Sequence, residues 1–162
     1  MIHTRHITAE GTASRGGFGL PVPLIVLLAA LAVPRVVTHD LGIFPEGSFV
    51  NSLLVFVPLV IWLIVVLRRR VPNPFLALTT VGFAYGVMLA VIHQLLWTAA
   101  YDGSPPSLGG NLEGALAPGL EAVIFRISAF FSSIVTGIVL GAIVGLVAWA
   151  IERLRRPDAL HP

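Results

Sequence analysis

Apolar residues in this chain gather into four long runs, 20–37, 49–67, 75–100 and 123–151, separated by short stretches that hold most of the Arg, Asp, Glu, Pro and Gly. Crossing the hydrocarbon core of a bilayer takes about 20 helical residues, and each run is close to or above that length. Neither 60–67 nor 138–147 alternates between apolar and polar positions, as the strands of a membrane barrel would. In lipid the backbone must satisfy its own N–H and C=O groups, which leaves helices. The pattern predicts an all-α fold, a transmembrane four-helix bundle occupying 20–151. A flexible segment 1–19 and a tail 152–162 flank it, both too short to bury a core.

Punctuation between the runs agrees. Arg68, Arg69 and Arg70 close the second run, Pro72 and Pro74 interrupt the chain, and Asn73 is placed to cap a third helix whose first turn tolerates Pro74. Trp62 and Trp149 are expected near one membrane interface, Trp97 and Tyr101 near the other. Pro58 falls mid-run and predicts a kink. A second reading of the first run also stands: Arg5 and Arg15, then apolar 20–29, then Ala30-Leu31-Ala32 resemble a signal peptide with its cleavage site. Cleavage would leave three spans.

Composition sharpens the picture. The chain is 56% hydrophobic and 11% charged, against roughly 45–50% and 25% for soluble domains. Its cations are all Arg, and threading four spans puts eight of the ten on one side: Arg5, Arg15, Arg68, Arg69, Arg70, Arg153, Arg155 and Arg156. The excess predicts that both termini are cytoplasmic and that the protein is a multi-pass component of the cytoplasmic membrane. Such charges serve topology and anionic lipid, so membrane lipids rather than nucleic acid are the expected partners. With no Cys, disulfides, thiolate metal sites and Cys nucleophiles are excluded.

Close helix packing in lipid depends on small residues. The fourth run carries Ala129, Ser133, Gly137, Gly141 and Gly145 at every fourth position, and the third carries Gly82, Gly86 and Ala90. These stripes serve either packing within the bundle or a homo-oligomer or larger membrane complex through the fourth helix. At 100° per residue His93 projects about 20° from Gly82 and Gly86, and Arg126 projects between Ser133 and Gly137. Both polar side chains should therefore face protein rather than lipid.

At about 1.5 Å per residue along each helix, the remaining polar groups collect at one level, near the outer interface. This belt comprises Arg35, His39, Asp40, His93, Gln94, Glu121 and Arg126, with Glu46 and Asn51 nearby. Three readings of it stand. It is a packing network, in which Arg35 and Arg126 snorkel or pair with Asp40 and Glu121 while His93 and Gln94 bond across helices. It is a site for a small solute, ion or lipid headgroup, as in a transporter or channel subunit. Or it is a membrane-embedded enzyme site built on His39, Asp40, His93 and Glu121, with a bis-histidine haem between His39 and His93 as a variant. No close-spaced metal motif, phosphate loop or nucleophile elbow is present, so no catalytic residue, metal or cofactor is assigned. The outer connection 101–122, rich in Gly, Pro and Ser, is long enough to cover such a site.

The stretch from Pro34 through Arg35, His39 and Asp40, then Val71-Pro72-Asn73-Pro74-Phe75, Tyr85-Gly86 and His93-Gln94-Leu95-Leu96-Trp97, resembles small bacterial four-span integral membrane proteins without an assigned activity. The resemblance covers roughly the first three helices. It implies the membrane fold and draws attention to His93 and Gln94.

Overall fold

A computed structural model describes residues 19–104 and 106–155. The expected flexible segment lies outside the described residues apart from Gly19, as does the tail beyond Arg155, and with them Arg5, Arg15 and Arg156 of the charge count. Among the described residues all regular structure is helical: α1 (Val22–Leu31), α2 (Val33–Asp40), α3 (Phe49–Arg69), α4 (Pro74–Leu95), the short α5 (Trp97–Ala100) and α6 (Pro118–Arg155), with a single 3-10 turn at Gly110–Leu112. Four helical stretches are long and apolar enough to cross a membrane: Val22–Asp40, Phe49–Arg69, Pro74–Leu95 and Pro118–Arg155.

The first span is two helices in line. Pro34 has no N–H to offer the Ala30 carbonyl, and the Ala32 N–H turns to Ala29 O at 3.2 Å instead of reaching Leu28. The freed Leu28 carbonyl accepts the indole N–H of Trp62 at 2.7 Å. Trp62 is fully buried on the α3 face that meets α1 and α4, edge-on to Tyr85. Trp97 is buried too, whereas Trp149 stays exposed with the Arg153 guanidinium 4.6 Å above its ring. The third run breaks at Leu96 rather than continuing to residue 100, and the fourth helix starts at Pro118, five residues before its apolar run. Asn73 caps α4 as its position suggested, its Oδ1 accepting the Leu76 N–H at 3.0 Å. The α3 helix continues through Pro58.

The helices α4 and α6 form the tightest pair, antiparallel and in backbone contact along their small residues. A methyl group built on Gly141 would lie 2.4 Å from Leu78 O, and one on Gly86 2.8 Å from Ile134 O. Gly145 meets Phe75 in the same way. The small-residue face of α6 is thus filled by α4 of its own chain, and any second copy would have to meet α6 on another face. The outward face, Val135, Val139, Ile143 and Leu146, is exposed and wholly apolar. That suits lipid and not water. The core lies among α1, α2, α3 and α4, where Leu28, Val36, Trp62, Val66, Leu78, Val81 and Tyr85 interlock.

Candidate functional site

Asp40 is the last residue of α2 because the chain turns sharply after it: Gly42 takes φ +62°, and the Gly42 and Ile43 N–H groups close on His39 O and Thr38 O at 3.0 and 2.9 Å. The following loop is tied down by Asn51, whose buried amide donates to Glu46 O at 2.6 Å, and by Ser48, which caps α3. These contacts hold Glu46 over His39. His93 arrives from α4. Side chains on a helix lean toward its N-terminus, so His93 reaches back toward the Gly86 level and meets Ser133 on α6.

The Asp40 side chain is only 4% exposed. Burying a lone carboxylate costs several kcal/mol, so partners are required. Asp40 Oδ1 has two: His39 Nδ1 at 3.3 Å and His93 Nε2 at 3.4 Å. Its Oδ2 is buried with no partner among the described residues. The chain of contacts runs on in both directions. His39 Nε2 lies 3.1 Å from Glu46 Oε1, which is open to solvent, and His93 Nδ1 lies 3.1 Å from the Ser133 hydroxyl.

Counting hydrogens orients the Ser133 end of this row. Ser133 Oγ is 2.7 Å from Ala129 O, a separation at which two oxygens need a proton between them. The Ser133 hydroxyl therefore donates to Ala129, and its lone pair accepts the His93 Nδ1–H 3.1 Å away. His93 Nε2 is then left facing Asp40 Oδ1 at 3.4 Å.

Beside this row lies a cavity of about 480 Å³ to which all four spans contribute. Arg35, His39, His93, Tyr85, Ser132 and Ser133 supply its polar wall, while Leu54, Leu59, Leu89 and Leu140 supply an apolar one. The volume falls within the range of small-molecule sites. A neighbouring open space of about 210 Å³ is lined by His39, Asp40, His93, Trp97 and Tyr101. Arg35 neither pairs with Asp40, as one reading expected, nor makes any other ion pair or side-chain hydrogen bond among the described residues. It is a half-buried guanidinium at a cavity wall.

The rest of the expected belt is organised separately. Gln94 donates to Arg126 O at 3.0 Å and accepts from Arg126 Nη1 at 3.4 Å, while the Arg126 guanidinium lies 4.9 Å from the centre of the Trp97 ring. Glu121 accepts the Leu108 N–H and so fastens the outer loop to the first turn of α6, where a helix favours an acid. Arg126 and Glu121, expected as an ion pair, do not form one among the described residues. Hence Arg35, His39, Asp40 and His93 come together, and Gln94, Arg126 and Glu121 form two other contacts.

Sequence reasoning assigned Ser133 to helix packing only and did not include Tyr85 or Ser132. The small-residue register that sets His93 against α6 was a usable signal for Ser133. No described group of three or more His, Asp and Glu side chains is arranged to hold a metal ion. His39 and His93 meet on the same Asp40 oxygen. Comparison with protein-family models, curated proteins and solved structures finds no match to this chain.

Proposed function

We propose that this chain is a multi-pass membrane protein that binds a small anionic amphiphile in its central cavity, with the acidic headgroup on Arg35 and the apolar portion against Leu54, Leu59, Leu89 and Leu140. The observation that carries this reading is Arg35 itself. A half-buried guanidinium at the wall of a largely apolar cavity calls for an anion, and none of the described residues pairs with it. Ionisable groups facing a bundle interior mark ligand or ion pathways. The apolar wall then selects a chain-bearing acid over a bare inorganic ion.

The arginine-rich ends fit a topology with both termini in the cytoplasm, which puts the cavity toward the outer side of a cytoplasmic membrane. The Gln94–Arg126–Trp97 cluster supports a packing role for the other part of the belt. A binding role and a packing role therefore divide the polar residues between them.

Titrating the purified protein in nanodiscs with decanoate and with decanol tests the site. Decanoate should bind and decanol should bind much more weakly. Loss of a charge-assisted hydrogen bond is worth about 1.5–3 kcal/mol, so Arg35→Gln should weaken decanoate by about one to two orders of magnitude, and Arg35→Lys by less. Equal binding of acid and alcohol, or an indifferent Arg35→Gln variant that melts normally, would overturn the reading.

A further inference from the structure

The row Glu46, His39, Asp40, His93 and Ser133 joins solvent to the cavity wall without a gap longer than 3.4 Å. Two imidazoles alternate with two carboxylates, each imidazole uses both nitrogens, and the buried Asp40 keeps one oxygen unpartnered among the described residues. We propose that this row is a proton relay that loads His93 from the solvent at Glu46, making the cavity a proton-coupled site for an organic acid; the coupling, though not the relay, rests on the binding role assigned to Arg35.

The steps balance. A proton from water enters at Glu46 and passes to His39 Nε2; the opposite His39 N–H gives its proton to Asp40 Oδ1; Asp40 gives it to His93 Nε2. Each transfer breaks one O–H or N–H bond and forms another, and His39 resets by exchanging tautomers. Asp40 ends as a carboxylate and His93 as an imidazolium, whose Nδ1–H stays on Ser133. Unloading runs the same path backward.

Few charges face His93 among the described residues. From α2 come the Asp40 carboxylate, 3.4 Å away, and the Arg35 guanidinium on the same cavity wall. The α3 wall is apolar at this level, formed by Leu54, Val55 and Leu59. From α4 and the segment after it come the phenols of Tyr85 and Tyr101, and from α6 the hydroxyls of Ser132, Ser133 and Thr136. Arg126 is turned away to Gln94 and Trp97. An anion seated on Arg35 neutralises the cation that shares the cavity wall with His93, so a bound acid and a proton on His93 favour each other. Binding an acid anion draws in a proton; reciprocally, lower pH strengthens anion binding.

Two measurements on the full chain in nanodiscs separate the relay from the binding role. With histidine 15N labelling and no ligand, the His93 ring signals, identified by their absence in His93→Gln, report exchange of its N–H with water. Glu46→Gln should slow that exchange several-fold at unchanged melting temperature, and His39→Gln should slow it by at least as much. Exchange as fast in His39→Gln as in the wild type overturns the relay. Calorimetric titration of decanoate in two buffers of different ionisation enthalpy should show net proton uptake that disappears in His93→Gln. Binding without uptake overturns the coupling. Failure of decanoate to bind counts against the cavity reading and the coupling, while the exchange measurement still decides the relay.

Discussion

Gly82 and Gly137 meet backbone to backbone: a methyl group on Gly137 would lie 2.4 Å from Gly82 O, and one on Gly82 would lie 2.3 Å from Gly137 O. Real side chains do not approach a carbonyl that closely, and the oxygen belongs to a helix that cannot yield locally. The α4–α6 pair therefore sets the separation of the elements that carry His93 and Ser133. Gly137→Ala should cost about 1–3 kcal/mol by overpacking, and Gly137→Leu more. Val139→Leu, on the lipid-suited face, should cost little. Thermal unfolding in a single detergent ranks the three, and a Gly137→Ala variant as stable as Val139→Leu would contradict this geometry.

Removing one member of a buried ionic pair is far more damaging than replacing both. His93→Leu leaves the Asp40 carboxylate with only the half-exposed His39, and a loss of about 3–5 kcal/mol is expected. The double variant Asp40→Leu with His93→Leu should recover most of that loss. A chemical-denaturation cycle over the four proteins reads the coupling. Additive effects would mean that Asp40 and His93 do not share a proton or a charge.

The break in the first span makes a different kind of demand. Trp62→Phe keeps an aromatic ring but removes the donor to Leu28 O, leaving a buried carbonyl that costs about 1–3 kcal/mol. Trp149→Phe, on an exposed ring, should change stability little. Their melting temperatures, compared side by side, distinguish a structural indole from an interfacial one.

Absence of cysteine makes single-cysteine topology mapping unambiguous. Under the proposed threading, Gly109→Cys is labelled by a membrane-impermeant maleimide in intact cells, while Arg69→Cys and Leu154→Cys react only after the membrane is opened. Labelling of position 69 from outside would reverse or dismantle the topology.

The helices were legible in the chain because lipid imposes a long apolar run on each one, and runs are visible without tertiary knowledge. Their ends were less so. Pro118 is well suited to a first helical turn, yet it precedes Gly119 and Glu121, and a count of apolar residues starts too late to include it. Depth arithmetic placed Arg35, His39, Asp40 and His93 at one level, but level says nothing about which way each helix is rotated. It could not tell that Asp40 would meet His93 while Arg35 faced a cavity. Ser133 was visible as a small residue and Trp62 as an interfacial aromatic; their actual partners, His93 and the Leu28 carbonyl, are set by packing between helices far apart in sequence.

What the protein carries out of its own membrane tests the central proposal most directly. Mild extraction followed by native mass spectrometry should find wild-type protein retaining a chain-bearing acid, and Arg35→Gln, folded to the same melting temperature, should emerge without it. A neutral lipid retained equally by both proteins, or a wild type that emerges empty from fresh membranes, would contradict an anion seated on Arg35.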